Sequence, residues 1–424
     1  MLARPMVEQG HDGRLSRRAW PVVFTMASLV VGLAFWFGWG PAVVHRSIWI
    51  TPGDIWGAYR SAHFVGWGDL GGVYSAGTRV VAFPGMLLVL APVAMITGAL
   101  GMSESFPFVL AHPTAWLVLG PVEVLLGCVA LFAFDALAER LGVGRRRRGV
   151  LCAVEAVALF NVTALWGHPE DALAVGLGAY ALVLVIDRRW VGAGWLFGAA
   201  VATQPLVVLM LPVLLAAVGR RRCAAFAARS VLPAAALVSV PLVADFRATV
   251  RALVEQPNFP SIDHRTPWTA LAPRVAGHGH DLAVAGGPGR VAAVALACAL
   301  GLWARRWRNR PELLVWGCAM ALGLRCFTES VMDPYYVWPA VAVGLVALST
   351  GSGVRLWSGA VLAVFVTGYG DLHLSPWVWW LPVTAAIAAV LVLGLPPAEG
   401  SDRPGVGPKA AGAGRCPGIL VGVS

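Results

Sequence analysis

PTAWLVLGPVEVLLGCVALFAFDALA, residues 113–138, is followed after a short polar stretch by four consecutive arginines, Arg145–Arg148. As a helix, a run of that length rises about 39 Å, more than the ~30 Å hydrocarbon core of a bilayer. The arginines beyond it belong on the cytoplasmic side, because Arg and Lys accumulate in cytoplasmic loops. One span and its direction follow, and the rest of the chain can be threaded from there. Residues 149–166 lead outward, and 171–187 return to Arg188 and Arg189. Residues 191–218 begin and end beside arginines (Arg188–Arg189 and Arg220–Arg222), and Gln204-Pro205 divides them. Proline breaks a helix, so two short helices in a hairpin are expected, and broken helices at membrane depth line cavities.

Residues 230–246 lead outward to a loop, 247–289, and 291–304 return to Arg305, Arg306, Arg308 and Arg310. Four spans follow (312–327, 334–350, 356–370, 376–395) before a Pro/Gly-rich tail, 396–424, whose composition is that of disorder. Upstream, Arg14, Arg17 and Arg18 precede the first apolar run, which places the segment 1–20 in the cytoplasm. The run Pro21–Gly40 is too long for a signal-peptide core and is expected to remain as a span, followed by an outside loop, 41–82. Residues 83–100 contain Pro84 and Pro92. A full crossing there would put Arg145–Arg148 outside, so a re-entrant or interfacial helix is expected. The fold class is thus all-α: one polytopic transmembrane bundle over 21–395, about twelve spans, in the cell membrane with both termini cytoplasmic.

Composition agrees. The 424 residues are 58% hydrophobic and 13% charged, with a mean hydropathy of +0.72, too little polar surface to cover a soluble core. The net charge of +10 comes from arginines clustered at segment ends, without a basic face carrying interleaved aromatics, which argues against nucleic acid as a partner. Of seven cysteines, Cys128, Cys152, Cys298, Cys318 and Cys326 fall inside apolar runs, and Cys223 and Cys416 lie next to arginine. Their spacing indicates neither disulfides nor zinc.

The threading gathers the other ionisable residues on the outer face: Asp54, Asp69, His168, Glu170, Asp171, Asp263, His264, Glu329, Asp333, Asp371 and His373. Many sit among aromatic, Pro and Gly residues, as in Trp67-Gly-Asp69 and Asp333-Pro-Tyr335-Tyr336. Rings beside carboxylates suit sugars, whose CH faces stack while their hydroxyls hydrogen-bond. An ordinary explanation also exists, since outer loops are where polar residues and interfacial aromatics must sit.

The first loop reads Asp54-Ile-Trp-Gly-Ala-Tyr59-Arg60, then Gly68-Asp-Leu-Gly-Gly-Val-Tyr74, then Phe83-Pro84-Gly85. This layout resembles the GT-C superfamily of membrane glycosyltransferases, in particular the polyprenol-phosphate-mannose-dependent mannosyltransferases of actinobacteria. The resemblance implies that Asp54 is the catalytic base, with Phe83-Pro84 standing where a Tyr-Pro-Pro-like stretch opens the next apolar segment. Trp166-Gly-His-Pro-Glu-Asp171 stands where the family has Gly-Gln-x-Asn, and Gln204-Pro205 where it has Lys-Pro. Both are departures, and the second removes a cation that could meet a lipid phosphate.

The implied activity is transfer of a sugar from a polyprenyl-phosphate donor to a hydroxyl on a lipid or glycan acceptor. The attacking oxygen must lose a proton, which a single carboxylate can take in an inverting displacement. Asp54 is the first candidate for that base and Asp69, in a Gly-rich turn, the second. His168, Arg60, Arg265 and Arg325 are candidates to meet the leaving phosphate, and Tyr59, Glu170, Asp171, Trp268 and Tyr335 to bind substrate. Structural roles compete with several of these. Arg325 and Glu329 are four apart on one helix and suit an ion pair. Glu170 and Asp171 favour the positive end of a helix opened by Pro169. The stretch Pro257–Trp268 either folds over the site or is an ordinary loop, and Glu123 and Glu155, inside spans, receive no role. No cofactor is expected, although paired carboxylates such as Glu170 and Asp171 could hold a divalent ion. The rival class is a transporter or lipid flippase, which also uses broken helices, and an inert scaffold of the same fold is a third.

Overall fold

A computed structural model describes residues 17–39, 49–75, 80, 82–105, 111–255, 257–258, 264–274, 283–284 and 287–396. Most of the segment 1–20, nearly all of the tail 396–424, and Asp263 in the 247–289 loop lie outside the described residues.

In chain order the helices are α1 (Ala19–Ala34, continued by a π turn, Phe35–Trp39), α2 (Asp54–Trp67), α3 (Pro84–Ala99), α4 (Trp116–Arg140) and α5 (Arg145–Phe160, continued by a π turn, Asn161–Leu165). Then come α6 (Pro169–Ile186), α7 (Trp190–Thr203), a 3-10 turn (Pro205–Met210) leading into α8 (Leu211–Ala217), α9 (Arg220–Ala244) and α10 (Phe246–Val250). The last five are α11 (Pro288–Ala304), α12 (Pro311–Thr328), α13 (Trp338–Ser349), α14 (Gly353–Gly370) and α15 (Pro376–Leu393). Among the described residues, strands are confined to two antiparallel pairs: β1 (Pro257–Asn258) with β3 (Ala283–Val284), and β2 (His264–Arg265) with β4 (Val331–Met332). Proline opens α3, α6, α11, α12 and α15 at the first helical turn, where its missing N–H costs nothing.

Among the described residues, six helices are long and apolar enough to cross a membrane: α1, α4, α5, α6, α9 and α15. This is a membrane-embedded helical protein. α9 is helical from Arg220, ten residues before the apolar segment begins, with Pro233 and Pro241 inside it. α13 is shorter, and every one of its residues is buried by other helices.

Ion pairs gather the arginine-rich helix ends. Asp135, near the end of α4, lies between Arg18, just before α1, and Arg148 of α5, the latter at 2.8 Å. Arg17 meets Glu139 at 2.7 Å, and Arg140 pairs with Asp187 at the end of α6. Arg147 donates to the Gly351 carbonyl between α13 and α14, and Arg355 to the Leu395 carbonyl after α15. The helices therefore share one basic end.

α3 does not reach it. It starts against the hairpin tip, where a Cβ on Gly85 would collide with the backbone of Ala202 and Thr203. Its far end returns beside the start of α4, since Ser103 and Thr114 are joined by three hydrogen bonds of 2.8–3.1 Å. Between those points it lies along α2, with the Thr97 hydroxyl bonded to Tyr59. The break at Gln204-Pro205 is equally explicit. Gln204 is extended (φ −152, ψ 117), and the chain turns back through the 3-10 turn and α8.

Candidate active site

The opposite end of the bundle is organised by Gly167, whose φ of +78° is a left-handed conformation that side chains resist. A Cβ there would lie 2.7 Å from Pro52 and 3.3 Å from the backbone nitrogen of Ile55. Glycine thus lets the turn before α6 press against the start of α2. Its neighbours Asp54 and His168 meet across that contact.

The His168 side chain is buried and bonded at both ring nitrogens, Nε2 to Asp54 Oδ2 at 2.9 Å and Nδ1 to Glu170 Oε1 at 2.8 Å. A neutral imidazole carries one N–H and could donate to only one of them, so this geometry suits the imidazolium. Burial pushes the ring toward neutrality. The charge of Glu170 and the hydrogen bonds to Asp54 and Glu170 outweigh it and hold His168 well above its ordinary pKa. The same pair acts oppositely on Asp54. Its surroundings push the carboxyl up, but the hydrogen bond and charge of His168 prevail and hold it below the usual value. Asp54 nonetheless keeps 61% of its side chain exposed, against 7% for Glu170. One carboxylate of this triad faces outward and the other is sealed in.

Tyr335 closes the other side of His168, its ring stacked at 3.8 Å between centroids and 19° between planes. Its hydroxyl donates to Asp333 Oδ2 at 3.0 Å. β4 ends at Met332, so the pairing of His264 with Met332 and of Arg265 with Val331 ties the 264–274 segment to the stretch that carries Tyr335. His264 is itself stacked on Trp379 at 4.2 Å, where burial pushes it down to about 4. His168 and His264 are thus pushed in opposite directions, one toward the charged form and the other toward the neutral one. Asp171, next to Glu170, accepts from Gln204 Nε2 at 2.7 Å. Gln204 therefore binds an acid at the hairpin tip. Asp371 accepts from Trp166 Nε1 at 3.0 Å and Asn161 Nδ2 at 3.3 Å.

Of the residues singled out in the sequence, Asp54, His168, Glu170 and Tyr335 are in direct contact, and Asp171 adjoins them. Arg325 is bound to Glu329 at 3.0 Å, with its guanidinium 3.6 Å above the Tyr336 ring, so the i,i+4 pair forms. Arg60 lies 3.9 Å from Glu104 and keeps more than a third of its side chain exposed. Tyr59 is buried, its hydroxyl on Thr97, and packs edge-on against Trp56 and His63. Asp69 accepts from the Gly72 backbone in the turn after α2. A helix of 14 residues separates it from Asp54, a rise of about 20 Å. Asp69 is therefore not part of the cluster. Trp268 donates to the Phe327 carbonyl at 2.8 Å, pinning its loop to the end of α12, and Arg265 is exposed on β2.

Glu123 is one of the two acids the sequence left without a role. It is fully buried in α4, neither carboxyl oxygen has a hydrogen-bond partner, and its electrostatic neighbours are Glu170 and His168. One signal was available. Trp116, Gly120, Glu123 and Gly127 share a helix face, and small residues on one face mark close helix contact. Among the described residues no group of three or more His, Cys, Asp or Glu side chains is arranged to hold a metal ion.

No protein-family model matches this sequence, and no curated protein does.

Proposed function

We propose that this chain is a membrane glycosyltransferase of GT-C type. In this proposal it moves a sugar, mannose first among the candidates, from a polyprenyl-phosphate donor to a hydroxyl acceptor at the outer face. The supporting observation is the outward carboxylate of Asp54, held from behind by buried His168 at 2.9 Å. The acceptor oxygen attacks the anomeric carbon, and the carbon–oxygen bond to phosphate breaks with its electron pair leaving on the phosphate. The acceptor's proton passes to Asp54 Oδ1, the oxygen that His168 does not hold. Attack opposite the phosphate inverts the anomeric centre. His168 fixes the direction of the carboxylate, and Arg60 and Arg265 are the arginines proposed to meet the phosphate. Arg325, occupied by Glu329 and Tyr336, serves the wall of the site. In this proposal the membrane-crossing helices, the Gln204-Pro205 hairpin and the non-crossing α3 make up the twelve apolar segments, with the basic end cytoplasmic.

The test is transfer of radiolabelled sugar from polyprenyl-phosphate mannose to endogenous lipid acceptors, in membranes carrying wild type or Asp54→Asn at matched expression. The expected result is wild-type transfer that disappears in the variant. Equal transfer by both would remove Asp54 as base. Wild-type membranes that match a vector control with a full panel of polyprenyl-phosphate sugars would end the glycosyltransferase proposal in favour of transport.

A further inference from the structure

At the end of the bundle opposite the basic one, a cavity of about 440 Å³ opens between the 265–274 segment and the start of α15. That volume falls within the range of small-molecule sites. Its frame is pinned to the chain after α12. The Thr266 hydroxyl donates to the Glu329 carbonyl at 2.8 Å, and the Thr269 hydroxyl to the Ser330 carbonyl at 2.6 Å. The Trp268 indole, bonded to the Phe327 carbonyl, adds a third tie. Both threonine hydroxyls are thus spent on the wall. The charged side chains that line the cavity are Arg265 and Arg274, and no acid is among its described lining residues.

Such a cavity attracts an anion, and guanidinium forks match the oxygens of a phosphate. The rim indicates what carries that phosphate. Trp380 meets Trp268 and Trp377 edge-on, with ring centroids 6.1 and 6.0 Å apart. Tryptophan gathers at the depth of lipid headgroups. Trp377 is 57% exposed, and Val378 and Leu381, which follow it on α15, are exposed as well. α15 is long and apolar enough to cross a membrane, so this strip leads from the cavity along a membrane-crossing helix. A soluble phosphate gains nothing from it, whereas a lipid phosphate uses both parts.

We propose that Arg265 and Arg274 hold the phosphate of an anionic membrane lipid in this cavity, with the lipid's chains along α15. Arg274 and a bounded cavity thereby join Arg265, and the site stands whether or not the chain transfers sugar. A polyprenyl phosphate and an anionic phospholipid present the same chemistry here.

The test separates these two sources. The purified full-length chain in a non-ionic detergent is titrated with a polyprenyl phosphate, phosphatidylglycerol, zwitterionic phosphatidylcholine or inorganic phosphate. Native mass spectrometry then follows the tightest binding event. Wild type should prefer an anionic lipid to phosphatidylcholine. Arg265→Gln and Arg274→Gln should each weaken that binding about fivefold, and the double variant about thirtyfold. Arg306→Gln, at the basic end, should leave it unchanged. Tighter binding of the polyprenyl phosphate makes the cavity the donor's anchor, and tighter phosphatidylglycerol makes it a seat for surrounding lipid. Wild type without preference for either anionic lipid overturns the proposal. So does a double variant with wild-type affinity, an equal loss in Arg306→Gln, or inorganic phosphate bound as tightly as the lipids. If the double variant fails to accumulate, the single variants decide by the same fivefold loss. Membranes without transfer from any polyprenyl-phosphate sugar would end the glycosyltransferase proposal and leave the binding result standing.

Discussion

The two ends of the bundle both bury carboxylates, and they treat them in opposite ways. At the basic end Asp135 lies between Arg18 and Arg148, and Glu139 takes Arg17, so each acid meets a cation directly. At the other end Glu329 still meets Arg325 and Arg290, but one histidine serves both Asp54 and Glu170, and Glu123 has no hydrogen-bond partner among the described residues. Satisfied charges lock helices together, and the basic network ties α1, α4 and α5 into one block. Unsatisfied buried groups are expensive, and a fold that retains them holds them for chemistry. On the proposed function, the difference separates a structural end from a working one.

The contrast is broken most sharply if chemistry follows the wrong end. Asp54→Asn is expected to lower transfer about 10²–10⁴-fold, the range for losing a general base, while the melting temperature in detergent barely moves. Asp135→Asn should do the reverse. It leaves buried Arg148 with only Glu139, 3.7 Å away, at a cost of up to about 3–5 kcal/mol seen as a lowered melting temperature, and residual folded protein should keep its transfer rate. If Asp135→Asn abolished transfer without destabilising the chain, the two ends would not divide the labour as described. A smaller effect is expected at the hairpin tip. Gln204→Ala leaves the buried Asp171 without its 2.7 Å donor, a loss of about 1–3 kcal/mol in denaturation experiments.

Little of this contrast was legible in the sequence, although most of the fold was. The proline that opens α6, the break at Gln204-Pro205 and the arginine clusters are local signals, and each can be read within a turn or two of helix. The pairing of Arg325 with Glu329 is local in the same way. The Asp54–His168 contact is not. It joins residues 114 apart in the chain and depends on Gly167 allowing two turns to touch. Asp54 and Asp69 looked alike as loop acids, and only the length of α2 between them separates their places. Glu123 was hidden for a different reason. A carboxyl in an apolar run has no sequence partner to betray it, and the small residues that frame it speak of packing.

The smallest predicted effects sharpen the site itself. Asp69→Asn should change stability by no more than about 0.5 kcal/mol and leave transfer intact. The Asp54–His168 pair should contribute less than about 1 kcal/mol, because Asp54 is exposed. Its pH dependence has a definite sign. His168 is held above its ordinary 6.5, so its contribution is complete below that value and fades as pH rises through the folded one. Asp54 is held below its ordinary 3.8, so its contribution is complete above that value and fades as pH falls through the folded one. The melting-temperature gap between wild type and Asp54→Asn should therefore be widest from about pH 4 to 6.5 and close on either side. A gap that stays constant with pH would mean that the 2.9 Å contact carries no charge.

α13 has a bearing on how the protein is made. Each of its 12 residues is covered by other helices, among them α5, α12, α14 and α15, and Tyr335 stands at its threshold. During synthesis α13 leaves the ribosome before α14 and α15 exist. It has no settled place until those last two helices arrive and close around it. The stack of Tyr335 on His168 is then completed late, although His168 itself is made much earlier. An unfinished chain would carry Asp54 and His168 without the wall that confines them, so on the proposed function competence is gained in the final stage of membrane assembly.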